Sequence, residues 1–345
     1  MKNKIAVLSI CGLVSATATA QSNVTVYGIV DASLAYGAMG PNKVTQVRSG
    51  SFNASRLGFR GSEDLGNGTK AVFALEYGLV IDVSADIGNT RQSYIGLQND
   101  RWGFLGLGRQ YAPGFFVSPY SAMAAAGDFS VLSQLSGAAN AMIRAGNQSR
   151  INNSINYKSP KLGGFEVNAI YGFGEAGQQG DRRRNDVAGI GVSYASGPLA
   201  ASLIYQQKEG GRDASDQRDW FIGAAYDFGV AKVMGSYQQV KDARNDGDTD
   251  VIYQFGGIVP VSSSGSVHAA WGRLDSDRGS SFDIDAWNVT YVHTLSRRTQ
   301  LYTGYLHIDN GRNTNLGRIA SATANGVPLL GKDSRNLVAG IRHAF

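Results

Sequence analysis

Arg56, Gly58 and Arg60 alternate with Leu57 and Phe59, and the same two-residue period sets Glu76 apart from Phe73, Leu75 and Tyr77. A third stretch puts Arg150, Asn152, Ser154 and Asn156 on one side and Ile151, Ile155 and Tyr157 on the other. Guanidinium and carboxylate groups fixed on one face of extended chain do not exchange protons at neutral pH; they create a field that sorts ions by charge. The chemistry expected is electrostatic selection. Bond-making chemistry has few carriers. His268, His293, His307 and His343 stand singly, each on its own strand; neither His293 nor His343 has a nearby serine and carboxylate in triad-like register, and no GxxxxGK[ST] pattern marks a nucleotide site. No enzyme activity, cofactor-binding residue or metal-binding residue is therefore assigned.

The elements that must carry these charges are long strands. Val24 to Tyr36 alternates for more than the five or six residues of an average strand. Further alternating stretches fall at 55–61, 71–77, 91–98 and 103–109, then at 150–158, 165–173, 186–195, 199–208, 218–228, 230–241, 250–261, 266–275, 284–295, 299–309 and 335–345. That is sixteen strands. Their connections alternate between short turns and long polar segments, the first long ones near Gly37 to Asn53 and Asp82 to Thr90. An even strand count, short turns on one rim and long loops on the other predict an antiparallel transmembrane β-barrel. A sheet can cross lipid only by closing, because every backbone group must be paired internally. Apolar residues then face lipid and polar ones a lumen. Arginine belongs in the lumen, since facing lipid at mid-depth costs it about 2 to 4 kcal/mol.

One connection is anomalous. Gln110 to Ser149 runs for forty residues with a single acid, Asp128, and a single base, Arg144; a loop of that length inside a compact fold calls for a function.

Composition and address agree with this architecture. Lys2 and Lys4 precede an apolar run from Ile5 to Val14, and Ala18-Thr19-Ala20 follows, the layout of a cleaved secretory signal over 1–20. The only cysteine, Cys11, lies within it, so the remaining chain, 21–345, has neither a disulfide framework nor a thiolate metal site. Without Lys2 and Lys4, thirty basic residues face twenty-seven acidic ones, scattered along the chain, which does not point to nucleic acid. The acid-rich stretches Asp242 to Asp250 and Asp275 to Asp285 fall in outer loops. They read as solvated surface, while admitting a loop-bound calcium ion or divalent bridging to lipopolysaccharide.

Val24-Thr-Val-Tyr-Gly-Ile-Val-Asp31, Ser55-Arg-Leu-Gly-Phe-Arg-Gly-Ser-Glu-Asp-Leu-Gly66, Arg91-Gln-Ser-Tyr-Ile-Gly-Leu97 and Ala339-Gly-Ile-Arg-His-Ala-Phe345 together resemble the general diffusion porins of Gram-negative bacteria, in particular the beta-proteobacterial type. The resemblance implies an all-β, sixteen-stranded barrel in the outer membrane, a homotrimer, with the third long loop folded inward to narrow the pore. It implies that Arg56, Arg91 and Arg150 are wall arginines facing that loop and that Phe345 is the signal read by the barrel-insertion machinery; Arg60, one lumen step further on, is a further constriction candidate. Arg109 is expected either in the pore or, slightly favoured, at the trimer contact near Asp82 or Asp86. Glu76 and Asp128, with Asp31 a weaker candidate, would supply the acidic side. The near lack of acid on the loop departs from the enteric pattern and predicts a net positive constriction that favours small anions and hydrophilic solutes. The alternative is a substrate-selective channel, in which Tyr111, Phe115, Phe116 and Tyr120 would form a binding stack. A secreted soluble β-protein is the remaining reading.

Overall fold

The computed structural model describes residues 23–84, 88–123, 127, 129–144, 146, 149–174, 185–210, 215–244 and 247–345. The expected signal at 1–20 lies outside them, as do Asp86 and, in the long connection, Ala124 to Ala126 and Asp128.

The chain forms one closed antiparallel barrel. Its first seven strand segments are β1 (Asn23–Met39), β2 (Asn42–Ser49), β3 (Arg56–Gly66), β4 (Thr69–Gly78), β5 (Thr90–Asn99), β6 (Gly103–Tyr111) and β7 (Arg150–Lys158). Ten more strands follow in meander order, the last of them Ser334–Ala344, which pairs with β1 from Ile29↔Ala344 to Met39↔Ser334 and closes the circle. The inner rim is held at the seam too, where Gly28 and Phe345 exchange both backbone hydrogen bonds. Since β2 and β3 pair with successive halves of β1, they make a single barrel strand, and the barrel has sixteen.

That pairing corrects one expectation. Gly37 to Asn53 is not a long outer connection: β1 turns back at Gly40 and Pro41, and residues 42–49 return as strand. The sequence irregularity there is real but lies within the strand, as an inward excursion at 50–55. Asp31 holds it, accepting from Asn53 N at 2.8 Å and from Tyr302 OH at 2.6 Å, while its backbone N donates to Ser55 Oγ at 3.0 Å. Asp31 is fully buried by these bonds, so it is not an open acidic wall for the pore.

Alternation sorts the faces as the pattern predicts. Leu203, Ile222, Phe255, Trp271, Val289 and Tyr291 are exposed, and their neighbours Ser202, Ile204, Gln206, Gln254, Asn288 and Thr290 are buried. Large apolar side chains exposed around a closed sheet are what a hydrocarbon environment requires, and would be costly to leave in water.

Described residues of the long connection pack against this buried face. Its described residues are not structureless: two 3-10 turns, Pro113–Phe116 and Ser118–Tyr120, precede helix α1 (Val131–Ala138), whose N-cap Ser130 accepts from Ser133 N at 3.2 Å. Val117, Tyr120, Phe129, Leu132, Leu135 and Ile143 share one buried cluster with wall residues Phe221, Ile252, Leu274 and Leu306. Buried wall polar groups reach its backbone: Gly114 N donates to Gln206 Oε1 at 2.7 Å, Asn288 Nδ2 to Phe129 O at 2.5 Å, Gln238 Nε2 to Ile143 O at 2.9 Å, and Gln254 Nε2 to Tyr120 O. A loop without regular pairing has orphan carbonyls and N–H groups, and the glutamines and asparagine of the wall satisfy them.

Asp219 is the strongest of these anchors. Completely buried, it accepts from Met142 N at 2.7 Å and Ile143 N at 3.1 Å. Removing a buried acceptor leaves the N–H groups it served unsatisfied, at a cost of about 1 to 3 kcal/mol for each. Asp219→Ala is expected to free the 140–144 stretch, read as more frequent brief closures in single-channel records than in wild type; Asp219→Asn, which keeps one acceptor, should sit between. Equal closure rates in all three would show that Asp219 does not hold the loop.

Candidate functional site

Glu76 is the hub of the charged wall. It lies on the inward face of β4, between exposed Leu75 and half-buried Tyr77, and is 3% exposed. Three donors converge on its carboxylate: Arg91 Nε at 2.5 Å, Tyr111 OH at 2.6 Å and Tyr27 OH at 3.1 Å. Tyr27 reaches it because Gly58, its cross-strand partner, leaves room. A Cβ at Gly58 would stand 2.3 Å from the Tyr27 ring. The Arg-Leu-Gly-Phe-Arg run thus has a glycine between its arginines for a steric reason.

Arg91 arrives by a different route. Glu76 pairs with Gln92 and Tyr77 with Thr90, so Arg91 is the extra residue of a β-bulge. Period two alone would align it with outward Ile95 and Leu97; the bulge re-aims it inward, where it is 2% exposed. Arg56, half-buried, donates Nε to Ala54 O at 3.0 Å. Arg150 faces Tyr111 at the first pair of β7, and its guanidinium lies 6.0 Å from the Tyr111 ring and 5.8 Å from that of Phe115. Arg56 and Arg150 are both within Coulombic range of Arg91 and Glu76. Three guanidinium groups therefore surround one carboxylate, and the cluster carries a net charge of about +2.

The remaining site residues are distributed around this cluster. Arg60 does not join it, lying instead over the Tyr27 ring at 5.2 Å. Arg109 donates to the carbonyls of Thr90 at 2.8 Å and Arg150 at 3.0 Å, and to Asn152 Oδ1. These bonds clip three strand ends together. Asp128, the expected opposing acid, is outside the described residues. Phe345 sits at the seam, its ring against Gly28.

The faces of β7 need a correction. Gly108 pairs with Ser154 but Gln110 with Ile151, so Asn152 and Asn153 together oppose Arg109, and Asn153 takes a left-handed φ of 45°. Parity flips across this bulge. Ser154 and Asn156 are buried as expected, but Ile151 is also buried, against Ala112 and Ile170, while Asn152 is exposed.

The loop aromatics pack rather than line up. Tyr111 and Phe115 stack at 3.6 Å, Phe116 meets them edge-on, and Tyr120 is buried with its OH on Ser202 at 2.8 Å and its ring near Phe221. Burial raises the Tyr120 phenol above its ordinary pKa and pulls the Arg144 guanidinium below its own. Toward the outer rim, burial and repulsion by Arg48 pull Arg318 down to about 10.

Asp250, Asp275 and Asp285 lie at strand ends rather than in the outer loops, and arginines meet them there: Arg273 holds Asp275, Asp283 and Asp285, and Arg244 holds Asp250 at 2.6 Å. Among the described residues, only His307, Asp309 and Asp333 bring three ligand atoms within 4.8 Å of one another.

A model of the Gram-negative porins matches residues 6–313. The chain belongs to the Gram-negative porin family. This porin is 35% identical to outer membrane porin protein 32 of Delftia acidovorans and 25% to the major outer membrane protein P.IB of Neisseria meningitidis, in both cases over the whole of each chain. Among solved structures it matches an anion-selective porin from Comamonas acidovorans with a TM-score of 0.82 and 31% identity, covering 94% of this chain and all of that one. It is an outer-membrane β-barrel of a Gram-negative bacterium, and its family is one of channels, not an enzyme class.

Proposed function

We propose that this porin is a passive pore for small hydrophilic solutes and ions, anion-selective at a constriction where the 112–149 connection, lying inside the barrel, faces Arg56, Arg91 and Arg150. The observation that carries the reading is the imbalance at Glu76: three guanidinium groups against one carboxylate. Low-dielectric walls focus such a field and raise the local concentration of anions. The anion-selective Comamonas acidovorans porin, its structural match, supports the same sign. Assembly as a homotrimer, contact with lipopolysaccharide, and recognition of Phe345 by the insertion machinery belong to this reading as family expectations. A structural role for Arg109 fits its three strand-end bonds better than an open pore position.

The substrate-selective alternative would need an accessible aromatic ladder, and the burial of Tyr111 and Tyr120 argues against one. Under a tenfold KCl gradient across a planar bilayer, the reversal potential should carry the sign for chloride. A potassium-favouring sign would overturn the assignment.

A further inference from the structure

We propose a second anion station below the constriction, made by Arg60 and Lys158, which draws small mobile anions into the pore from the inner mouth. It rests on the anion-selective reading above but uses none of the three residues assigned there.

Arg60 shares a face with Arg56 yet lies one strand step nearer the short-turn rim, and it turns to the Tyr27 ring instead of to Glu76. Lys158, the last residue of β7, comes to the same end of the barrel. Its Nζ sits 4.4 Å from the centre of the Phe116 ring, which belongs to the long connection. Both residues line one cavity of about 690 Å³, with Thr25, Tyr94, Phe104 and Glu166. The turns Asp100 to Trp102 and Ser159 to Gly164 border it, so it opens at the rim of short connections, the periplasmic side of such barrels.

Aromatic faces hold both cations in place. A ring attracts a cation through its quadrupole and takes no charge from it, whereas a carboxylate partner would cancel the field. Among the described residues, no carboxylate lies within 4.0 Å of either group. Glu166 is near enough to act on Lys158 and, with Asp100, offsets part of the cavity's charge, while Lys161 adds to it. Three cations against two acids leave the mouth positive. Arg60 and Lys158 are the members held against rings within the barrel wall.

The test is the conductance of the whole porin in dilute KCl. Screening reaches about 10 Å at 0.1 M and about 3 Å at 1 M, so a mouth charge acts only at low salt. With 0.1 M KCl on the short-turn side, Arg60→Gln with Lys158→Gln is expected to lower chloride current about twofold. In 1 M KCl the double variant should match wild type. Glu166→Gln should raise the dilute-salt current, and Arg60→Lys with Lys158→Arg, which keep both charges, should restore it. An anion-selective wild type with unchanged dilute-salt current in the double glutamine variant overturns the station, as does a loss the charge-keeping variant does not restore. A cation-selective wild type overturns the reading beneath it instead.

Discussion

Replacing Arg56, Arg91 and Arg150 together by glutamine is expected to reverse the ion preference of the pore and to enlarge its conductance. The three guanidinium groups surround one carboxylate, so the substitution takes the local charge from about +2 to about −1. A unit charge felt at about 8 Å amounts to roughly 0.5 kcal/mol in bulk water and roughly 2 kcal/mol at the effective dielectric of a protein surface. Three units exceed the 1.4 kcal/mol that separates a tenfold preference from parity. Single variants should not contribute equally. Arg91 shares its charge with Glu76 at 2.5 Å, whereas Arg56 rests on a backbone carbonyl and Arg150 on ring faces. Arg56→Gln and Arg150→Gln should each move the reversal potential further than Arg91→Gln. A triple variant with wild-type reversal potential and conductance would refute all three assignments.

Most of the fold was legible because a membrane barrel writes its period into every strand. The strands from 150 onward appear within about three residues of where alternation places them, and the lumen faces of Arg56, Arg60 and Glu76 follow from parity alone. The failures cluster at irregularities that parity cannot register. Gly37 to Asn53 reads as a loop because the alternating stretch Asn42–Ser49 is short and polar, and nothing local reveals that it and β3 continue one another along β1. Ile151 reads as outward because the left-handed Asn153 lies unseen two residues on.

Arg91 is the instructive case. Its inward position depends on a bulge opposite Glu76, so family resemblance reached it where periodicity would have turned it to lipid. Lys158 was missed for another reason. It ends a strand at a Ser-Pro turn and reads as rim, while its partner Phe116 is far off in the chain and is brought near only by the folding of the long connection.

The second large effect concerns Glu76 itself, where stability and selectivity should move in opposite directions. Glu76→Gln keeps the shape but removes the counter-charge of a guanidinium that is 2% exposed and whose Nη2 already has no hydrogen-bond partner among the described residues. Removing one member of a buried pair costs about 3 kcal/mol or more, because the other charge remains buried and uncompensated. The amide nitrogen also cannot accept from Tyr27 or Tyr111, so at least one of the hydrogen bonds at 3.1 and 2.6 Å is lost, about 1 kcal/mol further. At the same time the cluster rises from about +2 to about +3, so chloride preference should increase. Tyr111→Phe separates the two effects: it removes a hydrogen bond without changing charge, and should lower the thermal midpoint slightly while leaving the reversal potential alone. Thermal unfolding followed by circular dichroism in detergent, beside bilayer recording, reads both axes. A Glu76→Gln variant that melts with wild type and keeps its reversal potential would mean that the carboxylate does not balance these arginines, and the charge count at the constriction would have to be redrawn.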